Sequence, residues 1–110
     1  MRPIIILCLA LVGCSAGARF DKTAWRDADL SGRERAEMLP DFLTRYPLNG
    51  RTRTEIIALL GEPTPTDKWV GTEMTYVLGN DGSYMAIDHE WLLIELDQRQ
   101  KAVSFETVRD

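Results

Sequence analysis

Two places in this 110-residue sequence carry side chains able to do chemistry. One is Cys14, at the end of Leu11-Val12-Gly13-Cys14; the other is Asp88-His89-Glu90, which holds the single histidine. A thiolate is a strong nucleophile and a ready acceptor of a covalent group. An acid–imidazole–acid trio suggests proton transfer or metal binding. Three consecutive residues of a strand alternate between its faces, however, so these three cannot converge on one point. His89 also lacks the second histidine or cysteine that a zinc site needs. His89 is expected in a loop at the entrance of a strand. Asn80-Asp81-Gly82 has turn chemistry, without the spaced acidic ligands and closing glutamate of an EF-hand. No glycine-rich phosphate loop is present. The sequence argues against an enzyme, and no catalytic residue, metal or cofactor is expected.

The setting of Cys14 is more informative. Arg2 precedes an apolar run over residues 4–12, and small residues follow: the layout of a secretory signal. Nine apolar residues are too few for a membrane-spanning helix, which needs about 20. The plainer alternative is a buried strand or a core helix, but length and flanks both favour the signal. A small-x-small cleavage site is poorly matched by Ala10 and Val12 around Leu11. Leu11-Val12-Gly13-Cys14 instead resembles the lipobox of bacterial lipoproteins. That resemblance implies a diacylglyceryl group on the Cys14 sulfur, cleavage between Gly13 and Cys14, and acylation of the new amine by a fatty acid such as palmitate. Several acyl chains on one residue anchor stably, at about 0.8 kcal/mol per buried methylene. Ser15 in place of an aspartate implies the outer membrane of a Gram-negative cell, with the protein on its periplasmic face.

Residues 1–13 are thus expected as a signal peptide, residues 14–30 as a tether and residues 31–110 as one small domain. Cys8 falls in the discarded segment and Cys14 is consumed by lipid, so no thiol remains for a disulfide or a metal. A domain of this size buries roughly 60% of its unfolded surface and has room for one core. The net charge is −4, from 13 basic and 17 acidic residues that are scattered along the chain. This excludes the basic patch of a nucleic-acid binder and a polybasic membrane contact.

The elements follow from period and punctuation. The tether shows no clear period. Its Phe20 and Trp25 are expected to dock on the domain, the other possibility being a place at the lipid interface. Ser31 and Glu34 form a capping box ahead of a stripe of Met38, Leu39, Phe42, Leu43 and Tyr46. Pro40 predicts a kink there, or two short helices. Leu48-Asn49-Gly50 is a turn. Thr52 and Glu55 cap a second helix that Gly61 and Pro63 end. Three strands are predicted over residues 73–78, 91–97 and 102–108, with Met74, Tyr76, Leu78, Leu92, Ile94, Leu96, Val103 and Phe105 inward. Helices followed by strands give an α+β fold of two layers, two helices on a three-stranded antiparallel meander.

The stretch from Leu48-Asn49-Gly50 through the Thr52-capped helix to Leu60-Gly61-Glu62-Pro63, followed by Tyr76-Val77-Leu78-Gly79 and Leu92-Leu93-Ile94-Glu95-Leu96-Asp97, resembles the BamE/SmpA/OmlA-like small lipoproteins. The likeness covers roughly residues 46–108; Arg51 stands where that family usually has methionine. It implies a BamE-like domain with an accessory role in outer-membrane β-barrel assembly or envelope integrity, and other lipoproteins or envelope proteins as partners.

With Leu92, Ile94 and Leu96 facing the helices, Trp91 and Leu93 point outward beside Val77 and Val108. A sheet covered on one face should be polar on the other. Val77, Trp91 and Leu93 are therefore the expected protein-binding patch, the alternative being that Phe20 or Trp25 covers them. Trp69 is expected to plug the edge of the core, the alternative being that it rims this same outer surface. The function that follows is a lipid-anchored, non-enzymatic protein-binding module. Its alternative is a periplasm-facing inhibitor or sensor of an enzyme. The partner and the oligomeric state are not written in the sequence.

Overall fold

The computed structural model describes residues 18–85 and 87–110. The expected signal peptide, with Gly13 and Cys14, lies outside the described residues. Six elements follow one another: α1 (Lys22–Asp27), α2 (Glu34–Arg45), α3 (Arg53–Leu60), β1 (Met74–Asn80), β2 (His89–Leu96) and β3 (Ala102–Arg109). The strands form one antiparallel sheet in the order β1-β2-β3. The fold is α+β, with helices ahead of an antiparallel meander as expected, and with one helix more than the sequence suggests.

That extra helix, α1, lies in the stretch expected as tether. Asp21 caps it by accepting from the Ala24 amide at 2.8 Å, and its Trp25 is fully buried. Phe20 is buried beside it, its ring 4.8 Å from that of Phe42 and 5.8 Å from that of Tyr46. The Phe20 backbone is gripped at both ends. Its amide donates to Asp41 Oδ2 at 2.7 Å, and its carbonyl accepts from Arg45 at 2.6 Å. Phe20 and Trp25 thus dock on the domain, and ordered structure begins well before Ser31. Six residues are too few to show a helical period, so only the aromatic content pointed to burial.

The α2 stripe is as expected: Met38, Leu39 and Phe42 are buried, with Leu43 and Tyr46 packed against them. Its entry is not. The helix begins at Glu34 with no side-chain cap, and the Ser31 hydroxyl donates to Asp29 instead, at 2.7 Å. The reason lies across the molecule. The carbonyls of Ser31 and Gly32 accept from the side-chain and backbone nitrogens of Asn80, at 3.0 and 2.9 Å. Residues bound to β1 in this way cannot also open a helix. Pro40 neither ends nor divides α2, which runs without a break from Glu34 to Arg45; it faces solvent, where water can take up the carbonyl left without a partner.

For α3 the sequence signals hold. Thr52 Oγ1 accepts from the Glu55 amide at 3.1 Å, and Glu55 Oε1 accepts from the Thr52 amide at 2.9 Å. Gly61 ends the helix at φ +83°, a conformation that costs other residues energy. The Tyr76 hydroxyl donates to the Gly61 carbonyl at 2.8 Å, tying the helix end to β1. Burial holds that phenol well above its usual titration range.

Met74, Tyr76, Leu78, Leu92, Ile94 and Leu96 all enter the core under the helices. Two bulges adjust the register, one passing Leu78 between Val77 and Gly79, the other passing Val103 between Ala102 and Ser104. The second corrects the expectation for β3. Ala102, paired with Leu96, is the buried residue, whereas Val103 is 53% exposed and Phe105, paired with Ile94, is 38% exposed. The extra residue of a bulge is left unpaired and re-aimed. The helix Glu34–Arg45 packs on β1, at the far side of the sheet, so Phe105 on β3 shares the face of Ile94 but stays part-exposed.

Two substitutions test these contacts by urea denaturation. Trp25→Ala should cost about 3–5 kcal/mol, as expected for a buried large aromatic residue, and not the near-zero cost of a change in a loose tether. Thr52→Ala should cost about 1 kcal/mol through loss of the cap.

Candidate binding surfaces

Val77, Trp91 and Leu93 do share the sheet face opposite the helices, with Trp91 paired to Val77 on one side and Val108 on the other. They are not open. Each is only 6–7% exposed, because the chain between α3 and β1 folds around the sheet edge and lays Trp69 on them. The Trp69 and Trp91 ring centroids are 6.2 Å apart in an edge-on arrangement. Thr64 holds that connector in place. Its amide donates to the Thr75 carbonyl at 2.7 Å, and its hydroxyl oxygen accepts from the Val77 amide at 3.1 Å. The expected binding patch is therefore a second small core. Its cover is neither Phe20 nor Trp25, and Trp69 does not plug the core under the helices.

Asp110 latches this second core. The Trp91 indole donates to Asp110 Oδ2 at 3.0 Å, and the His89 amide donates to Oδ1 at 2.9 Å. Lys68, next to Trp69, approaches the same carboxylate at 3.9 Å. The bond from the His89 amide, then that from Trp91, holds the Asp110 carboxyl below its ordinary range.

The acidic trio is dispersed. His89 opens β2 and is exposed, while Glu90 turns to Arg33 at 3.2 Å. Among the described residues no three metal-ligating side chains come together. Asn80 and Asp81 do turn the chain, accepting from the amides of Gly82 and Ser83 at 2.8 and 2.9 Å.

The apolar groups that are open to solvent lie elsewhere. In the connection between β1 and β2, Tyr84 is 99% exposed, Met85 66% and Ile87 70%. The sequence did hold a trace of this, since no charge occurs between Asp81 and Asp88. No period distinguishes such a tip from the turn beside it. Among the described residues the other exposed large apolar side chains are Leu30, Val70 in the connector, and Val103 and Phe105 on β3.

No family model matches the chain, and neither a curated protein nor a solved structure matches it. Fold and surface define a small α+β domain with apolar clusters on both faces of one sheet.

A carboxyl whose titration point is lowered by folding stabilises the fold above its unfolded value; that contribution fades as the pH falls through the folded value. Acidification below the usual carboxylate range should therefore loosen the Trp69–Trp91 pair. Near-ultraviolet circular dichroism should lose its tryptophan signal in acid, and Asp110→Asn should flatten that transition.

Proposed function

We propose that this chain is a lipid-anchored, non-enzymatic binding module of the bacterial envelope, held at the periplasmic face of the outer membrane through Cys14. The observation that carries this reading is Leu11-Val12-Gly13-Cys14 behind a charged start and an apolar run. The element order supports it, since helices ahead of an antiparallel meander suit the BamE-like lipoproteins that the sequence resembles. An accessory role in outer-membrane β-barrel assembly or envelope integrity follows from the same resemblance. With Val77, Trp91 and Leu93 covered by Trp69, the protein-binding role passes to the exposed side chains of β3, Val103 and Phe105.

Cells fed an alkyne fatty acid should label the wild-type protein and leave Cys14→Ser unlabelled; label on both, or on neither, would remove the basis of the proposal. In pull-downs from detergent-solubilised envelopes, Phe105→Ser should recover barrel-assembly components at least threefold less well than the wild type.

A further inference from the structure

We propose that the β1–β2 connection is a second membrane contact, in which Tyr84, Met85 and Ile87 enter the lipid interface beside the anchored Cys14. The inference rests on the anchoring proposed above and adds to it an orientation and a lipid-contacting site. Its starting point is the length of chain between the anchor and the fold. Cys14 is four residues from Ala18, the first described residue, and a chain advances at most about 3.6 Å per residue. Ala18 is therefore held within about 14 Å of the acylated residue.

Ala18 lies beside the first half of α2. It lines a shallow hollow with Arg19, Ala24, Glu34, Glu37 and Met38. Glu34 begins α2, and the residues just before it are fastened to the end of β1. The Gly32 carbonyl accepts from the Asn80 amide at 2.9 Å, and the Arg33 guanidinium donates to the Asn80 carbonyl at 2.5 Å. Gly79 has no room for a side chain here, because a Cβ would stand 2.1 Å from the Gly32 oxygen. The start of α2, beside which Ala18 lies, is thus hydrogen-bonded to the residue from which the connection departs. The opposite end of β2 carries the turn around Asp97 and Arg99, about 25 Å away along an eight-residue strand.

The chemistry of the tip fits a bilayer surface. Tyrosine is favoured at the headgroup level, where its ring and hydroxyl meet different surroundings. Met85 and Ile87 supply apolar area. Asp81 is buried and turned inward onto the Ser83 amide, so its carboxylate does not face the lipid. The chain is acidic overall, and attraction to anionic headgroups is not what would hold it. Insertion should proceed equally in neutral lipid.

The test uses the full lipidated chain in vesicles of phosphatidylcholine. Cys8 leaves with the signal and Cys14 is acylated, so an added cysteine gives a single labelling site. An environment-sensitive dye on Ile87→Cys should be quenched by nitroxide-labelled acyl chains at least threefold more than the same dye on Arg99→Cys. Met85→Cys provides a second tip position, and far-ultraviolet circular dichroism checks the fold of each variant. Equal quenching at tip and turn in a protein that carries fatty acid would overturn the tip contact and leave the anchor standing. A protein without fatty acid, shown by intact mass, would overturn both. Protection of the tip only in whole envelopes, or only in vesicles containing anionic lipid, would also overturn it.

Discussion

The outer edge of β1 is a row of backbone donors and acceptors that must be satisfied before the sheet can lie under two helices. Two segments meet that demand. Thr64 bonds the Thr75 carbonyl and the Val77 amide from one side. Arg35 reaches from α2 to the Val77 carbonyl at 3.1 Å and to the Trp25 carbonyl at 2.8 Å, and Ser31, Gly32 and Arg33 close on Asn80. The Arg35 guanidinium also stacks 4.9 Å above the Trp25 ring. One closed edge thereby fixes α1, the entry of α2 and the connector that carries Trp69. Burial lowers the affinity of Arg35 for its proton, though a guanidinium stays charged in proteins. The two carbonyls and the ring are what repay its partial loss of water.

Closing that edge has an effect on each face of the sheet. Below, α1 completes an aromatic group of Phe20, Trp25, Phe42 and Tyr46. Above, Trp69 covers what would otherwise be an apolar outer face. The far edge is treated differently. Only the start of β3 is paired beyond β2, where Ala102 exchanges hydrogen bonds with Gly50 and Arg51 at 2.8 Å each. From Val103 onward no element beyond β2 pairs with it among the described residues. Among the described residues the sheet therefore has one sealed edge and one edge left open from Val103 onward.

The gripping of Phe20 matters for the proposed anchoring. Much of a stretch expected to hold the domain away from the membrane is instead packed into it, so only a few residues separate the proposed acylation site from the fold. Under the proposed anchoring, a domain held so closely would present its exposed groups near the bilayer and not far out in the periplasm. The Asp41–Arg45 pair that grips Phe20 is an i, i+4 pair on α2 at 2.9 Å. Its carboxyl is held below the ordinary range chiefly by the Phe20 amide.

Local signals carried much of this architecture. The α3 cap and its glycine end, the helical stripe of α2 and the alternation in β1 and β2 each depend on residues within a few positions of one another, so composition and period sufficed for them. The order of helices and strands, and with it the α+β class, was determined in the same way. What only the tertiary structure decided were events between distant segments. Asn80 draws the carbonyls of Ser31 and Gly32 away from a helix start, a bulge turns Val103 outward, and Thr64 carries Trp69 onto Trp91. Apolar periodicity tells that a side chain will seek cover, but the cover here comes from about 20 residues away in the chain, and no local pattern specifies which segment will supply it.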